Sequence, residues 1–182
     1  MPYPTPRFSL FFELKRKCPT LSPYHYYYLF TLFQAPAMQT AQTSRTLKLL
    51  GMLLFFFGLL TGFAVMAFIN PRQGLSAHLE GVMNGIFLVA TGIIWQELKL
   101  TPRLAKLLFG LVLFGTFANW IFTLLGAVWG TSRMTPIAGA GYHGTGLQEA
   151  LVATGLLSVG VTMTLSLCIL IYGLRGKCMP LN

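Results

Sequence analysis

From Lys48 onward the chain alternates between long apolar runs and short polar interruptions. No charged residue lies between Lys48 and Arg72, and residues 49–69 are almost wholly apolar. A second run extends from Glu80 to Glu97, lengthened at its start by Leu75, Ser76, Ala77 and His78. The third lies between Lys106 and Arg133, the fourth between Glu149 and Arg175. A helix needs about 20 residues to cross the hydrocarbon core. Runs one, three and four meet that length; run two meets it only if His78 and Glu80 enter the membrane boundary. The pattern predicts an all-α integral membrane bundle of four transmembrane helices, with spans at about 49–70, 76–97, 107–130 and 149–174.

Composition supports this and removes a rival. Charged residues make up 9% of the 182 and apolar residues 54%, whereas a soluble domain carries roughly 25% charged residues. The formal net charge of +9 suggests nucleic acid until its distribution is seen. Four of the 13 basic residues (Arg7, Lys15, Arg16 and Lys17) lie near the N-terminus and the others punctuate the apolar runs. That distribution fits membrane flanks, with the lipid bilayer as partner and no nucleic acid. Arg45, Lys48, Lys99, Arg103, Lys106, Arg175 and Lys177 fall on one side and only Arg72 and Arg133 on the other. The bias predicts an inner or plasma membrane protein with both termini cytoplasmic. Trp95 and Trp129 stand near span ends, where amphipathic rings favour the interface. Cys18, Cys168 and Cys178 form no CxxC pair and support neither a disulfide framework nor a zinc site. Cys168, inside an apolar run, reads as a small buried or lipid-facing residue.

Residues 1–37 differ from the remainder. Their six prolines and the run Tyr24-His25-Tyr26-Tyr27-Tyr28 show no sustained helical pattern and resemble neither a signal nor a transit peptide. Met38 opens a compact polar lead, MQTAQTSRTLK, directly before the first span. Residues 1–37 therefore read as a non-native or disordered extension, and 38–182 as the membrane domain.

Small residues recur at packing spacing in Gly58/Gly62, Gly81/Gly85 and Gly126/Gly130, pairs that let helices approach closely in lipid. Polar groups inside the spans are fewer and more informative, because ionisable groups in a bilayer are costly and face a partner. At 100° per residue, Glu80 and Asn84 share a face about 40° apart, while His78 points roughly 120–160° away. The second span thus offers an imidazole to one neighbour and a carboxylate plus amide to another. Thr116, Asn119 and Thr123 share a face of the third span. The loop before the fourth offers Tyr142, His143, Gln148 and Glu149. By the charge bias, His78, Glu80, His143 and Glu149 gather at the non-cytoplasmic side, with Asn119 deeper. Each has a plainer reading: His78 as an interfacial residue, Glu80 and Glu149 as carboxylates at helix N-termini, Asn119 as interhelical glue, His143 as a solvated loop residue. No P-loop, dinucleotide fingerprint, HExxH or aspartate occurs, so no nicotinamide or flavin is expected and Asp-dependent mechanisms are excluded.

The segments LLTGF, NPRQGLSAHLEGVMNGIFLV, GTFANW and TPIAGAG followed by QE resemble the hydroxylaminobenzene mutase family from about Leu47 to Arg175. A more distant likeness is to styrene oxide isomerases, which share an Ala-His in the second span with an Asn six residues after the His, here Ala77-His78 and Asn84. The first resemblance implies rearrangement of hydroxylaminobenzene to 2-aminophenol with no net redox change, a small aromatic substrate and a place in nitroaromatic degradation. In that chemistry Glu80 is the candidate acid, and Asn84 and Asn119 the candidate orienting groups. The second resemblance implies haem b with His78 as axial ligand to the iron. Counted without gaps, Thr123 stands where those isomerases carry a tyrosine and Gly115 where they carry an acidic residue, which puts epoxide isomerisation in doubt. The opposed faces of the second span suit a homo-oligomeric ring. A haem-carrying subunit without catalysis is the rival reading.

If Met38 is the natural start, N-terminal sequencing of the protein from its own cells will begin there; any peptide from residues 1–37 would refute it.

Overall fold

The computed structural model describes residues 23–139 and 141–175, with side chains from Thr40 onward. The chain divides into two compact units, 1–42 and 43–182, and the packing and the site described below belong to the second. Helix α1 is Pro23–Ala64, α2 Pro71–Ile94, α3 Pro102–Trp129, α4 the single turn Pro136–Gly139, and α5 Gly146–Leu174. Short 3-10 turns at Val65–Ala67 and Trp95–Glu97 extend α1 and α2. Four stretches are long and apolar enough to cross a membrane: Thr40–Ala67, Pro71–Glu97, Pro102–Trp129 and Gly146–Leu174. The chain is a multi-pass membrane protein with an all-α bundle. The ends of α1 and α3 and the starts of α2 and α5 share one end of it, here called the loop end.

Helix boundaries follow local chemistry that an apolar count misses. The second span begins at Pro71, not near 76, because Asn70 caps it: its Oδ1 accepts from the Arg72 and Gln73 amides at 3.1 and 3.2 Å, and proline occupies the first helical position. Thr101 and Pro102 start α3 in the same way, the Thr101 hydroxyl accepting from the Leu104 amide. Gly130, at φ 68°, closes α3 with a left-handed residue. Residues 23–37, expected to lack a sustained helix, belong to α1. The apolar run Tyr26–Phe33 offers helix-compatible residues between two prolines, and Pro23 stands at the helix start, where its missing N–H costs nothing. Residues 1–22 of the expected extension lie outside the described residues, as do Cys18 and Cys178.

The α1–α2 contact is made of backbone. A Cβ on Gly81 would lie 2.5 Å from the Gly58 Cα, and one on Gly85 would lie 2.6 Å from the Phe55 amide nitrogen. Ser44 donates to the Gly92 carbonyl at 2.6 Å near the other end of the same seam. Helices α2 and α3 pack antiparallel, as do α3 and α5, with Gly155 against Phe122 and Gly115 against Met163. Of the three expected glycine pairs, Gly58/Gly62 and Gly81/Gly85 serve helix packing. The third divides: Gly126 faces Gln73 and Thr131, while Gly130 is the α3 cap. Leu47, Leu54, Leu88, Leu108, Val112 and Leu170 form the apolar core at the other end. Trp95 belongs to that core at 4% exposure, set edge-on to Phe109. It is therefore not an anchor facing the lipid headgroups, because it continues the buried face of α2 that carries Leu88, Thr91 and Gly92. Cys168 is exposed on α5, which faces it to lipid.

Replacing Gly81 by alanine forces two backbones apart and should cost about 1–3 kcal/mol. Gly110, with nothing near its missing Cβ, should tolerate alanine; comparing the thermal midpoints of the two purified variants in lipid tests the seam.

Candidate active site

Glu80 lies mid-seam between α2 and α3. Asn84, one turn along α2, donates its Nδ2 to Glu80 Oε2 at 3.1 Å, and Asn119 of α3 donates its Nδ2 to the same oxygen. Asn84 is 7% exposed and Glu80 part-buried. Oε1 takes none of the described hydrogen bonds, so one carboxyl oxygen is fixed by two amides and the other is left for a proton or a ligand. The sequence placed Glu80 and Asn84 together by helix geometry; the antiparallel register of α3 adds Asn119.

His78 lies on the other flank of α2. Its Nδ1 is 2.8 Å from the Gly58 carbonyl oxygen of α1. A carbonyl can only accept, so Nδ1 carries the proton and Nε2 keeps a free lone pair, the tautomer suited to ligating a metal. The ring fits only because Gly62 is bare: a Cβ there would stand 2.7 Å from Nδ1. The imidazole and the carboxylate–amide group thus meet different neighbours, α1 and α3.

Trp120, not singled out by the sequence pattern, joins these elements. Its Nε1 donates to Thr61 Oγ1 at 3.2 Å, its ring stacks on Phe57 at 5.8 Å, and its Cδ1 borders Gly81. A tryptophan in mid-span beside Asn119, away from either interface, was the available signal. Thr116 and Thr123 are buried as part of the α3 face, and Thr116 donates to the Val112 carbonyl of its own helix.

The loop residues form a separate cluster. The Glu149 carboxylate accepts from the amides of Ser132, Arg133 and Gly144 at 2.9–3.2 Å. His143 Nδ1 pairs with the Ser132 hydroxyl, Gln148 Oε1 accepts from the Thr145 amide, and Tyr142 is exposed. His143 and Glu149 stand at the loop end, where three backbone donors occupy the Glu149 carboxylate; Asn119, expected deeper than Glu80, bonds it directly. Asn70 ties the same loop to α2, its Nδ2 donating to the Ala138 and Gly139 carbonyls.

The styrene oxide isomerase family model matches residues 43–175. The chain belongs to that family. Among curated proteins it is similar to hydroxylaminobenzene mutase HabB of Ectopseudomonas oleovorans, 47% identical over 137 residues, 75% of this chain and 84% of the relative. It is also similar to hydroxylaminobenzene mutase HabA of the same organism, 37% identical over 68% of this chain and 93% of the relative. No solved structure matches. The two likenesses read from the sequence are thus one family, and membership makes the chain an enzyme of the isomerase and mutase class. The matched residues contain the whole Glu80 group, His78 and the loop cluster.

Glu149→Ala should leave three loop amides without acceptors. Exchange of the Ser132, Arg133 and Gly144 amides, read by mass spectrometry, should rise about tenfold, the scale of a lost hydrogen bond to charge, without loss of helix content.

Proposed function

We propose that the protein rearranges hydroxylaminobenzene-type arylhydroxylamines to 2-aminophenols inside the membrane. The observation that carries this is a single carboxyl, held by two amides on one oxygen and open on the other, within an apolar bundle. The named activity of the two relatives points to the same chemistry.

Glu80 Oε1 gives a proton to the hydroxyl oxygen as the N–O bond breaks. The oxygen joins the ortho carbon as water and returns one of its protons to Glu80, and the hydrogen on that carbon passes to the nitrogen as the ring regains aromaticity, so atoms and electrons balance with no oxidant or reductant. Asn84 and Asn119 fix the carboxyl and orient the hydroxylamine. The apolar walls of α2 and α3 admit the ring and keep out bulk water, and the substrate enters from the bilayer.

His78 would hold haem b through Nε2, since its Nδ1–H is engaged by the Gly58 carbonyl. Haem there would supply ferric iron as a Lewis acid. Because His78 and Glu80 face opposite flanks of α2, a closed ring of three or more copies suits the geometry, with His78 toward a subunit boundary. The charge bias supports an inner or plasma membrane location with both termini cytoplasmic and the loop end outside, and the substrate class supports a role in nitroaromatic degradation. Epoxide isomerisation is not favoured: Met163 fills the space beside Gly115, where the isomerases carry an acidic residue. A non-catalytic haem subunit is not favoured beside relatives named as mutases.

Anaerobic incubation of hydroxylaminobenzene with membranes containing the protein should yield 2-aminophenol without added nicotinamide or flavin. Glu80→Gln should lower turnover by about 100-fold or more, and unchanged turnover would remove the acid from this reading.

A further inference from the structure

Two buried polar atoms at the loop end have no hydrogen-bond partner among the described residues: Gln73 Nε2 and Thr131 Oγ1. Gln73 is 0% exposed and Thr131 1%. Buried amides and hydroxyls are otherwise almost always paired, and each orphan calls for a cause. Here both border one place. A Cβ on Gly126 would lie 3.1 Å from Gln73 Nε2 and 3.2 Å from Thr131 Oγ1. A side chain at Gly126 would crowd both atoms, so the two orphans meet at one bare glycine, and one amide donor with one hydroxyl is the polar setting in which a buried water is held.

The place has an outside and an inside. Outward, Thr135 donates its hydroxyl to Gln73 Oε1 at 3.2 Å and also lines an open groove of about 510 Å³ with Arg72, Ser76 and Met134. Inward, the antiparallel register leads to the catalytic group: Gln73 stands beside Gly126 and Glu80 beside Asn119. That distance along the seam is about 10 Å. Thr123, buried on α3 between Gly126 and Asn119, adds a hydroxyl-bearing residue to that stretch.

We propose that a water molecule bridges Gln73 and Thr131 and opens a proton route along the α2–α3 seam from the loop-end groove to Glu80. Gln73 holds the water as a positioning residue; water and the threonine hydroxyls carry the proton. The route lets the Glu80 proton exchange with the aqueous phase between turnovers and leaves the balance of the rearrangement unchanged. It rests on the reading of Glu80 as the acid.

The test is infrared spectroscopy of the full-length protein in lipid nanodiscs. The carboxylic C=O band lost in Glu80→Gln is assigned to Glu80, and its shift is followed on transfer to D2O. In Thr131→Val, which keeps the side-chain shape, and in Gln73→Met, exchange should slow about tenfold, the scale of one lost hydrogen bond. In Thr164→Val, on the exposed face of α5, it should not change. Normal exchange in both seam variants overturns the route while the acid reading stands. Absence of the band from the wild-type protein overturns the acid reading and the route together. Loss of fold in Gln73→Met leaves the decision to Thr131→Val.

Discussion

The close approach of α1 and α2 at Gly58 and Gly81 fixes the rotation of α2, and the placement of every group with chemistry follows from it. With the glycine face turned to α1, Glu80 and Asn84 turn toward α3 and His78 comes to the α1–α2 flank. A side chain at Gly58 or Gly81 would part the two backbones and remove the pocket in which the imidazole reaches the Gly58 carbonyl. Trp120 reinforces the same arrangement from α3: it passes over Gly81 to bond Thr61. In lipid, where apolar burial gives little force between helices, such backbone contact and interhelical hydrogen bonding hold a bundle together.

The polar groups divide by depth into two jobs. At the loop end, Asn70 and Glu149 meet backbone partners and hold the connection between α3 and α5 in place. Their work is structural, because backbone groups near the hydrocarbon must be satisfied internally. Deeper in the seam, Glu80 is held by side-chain amides alone among its described partners. Amides fix the position of the carboxyl and keep it free of a neutralising cation. A lysine or arginine in place of either asparagine would tie the carboxylate into an ion pair and remove the proton donation proposed for it.

Much of this was legible in the sequence. Charge spacing marked four spans, and helical angles alone separated His78 from Glu80 and Asn84. The missed features have definite causes. The start of α2 was misplaced because hydropathy counts apolar residues, whereas the Asn70-Pro71 pair sets the boundary by capping. Trp95 looked interfacial because a span end can also be the last turn of a packed helix face. Asn119 was set deeper than Glu80 because sequence gives the side of the membrane but not the depth. Register between helices carries no local signal, so the pairing of Asn119 with Glu80 emerges only once α2 and α3 are packed together.

The register also explains why the buried orphans at Gln73 and Thr131 belong with the site. On an antiparallel pair of helices, moving seven residues along one and seven back along the other returns to the same face two turns away, about 10 Å. Gln73 and Gly126 stand in that relation to Glu80 and Asn119. A seam that needed only to pack would place apolar side chains at those positions, as it does at Leu88 and Val112 further along. Instead Gln73, Thr123 and Asn119 set polar residues along the stretch that ends at the carboxyl, with the small residues Ala77 and Gly126 on the same two helices. Burying an amide and a hydroxyl without protein partners is unfavourable for stability alone. It is intelligible where, as proposed, they serve a carboxyl that exchanges its proton with water.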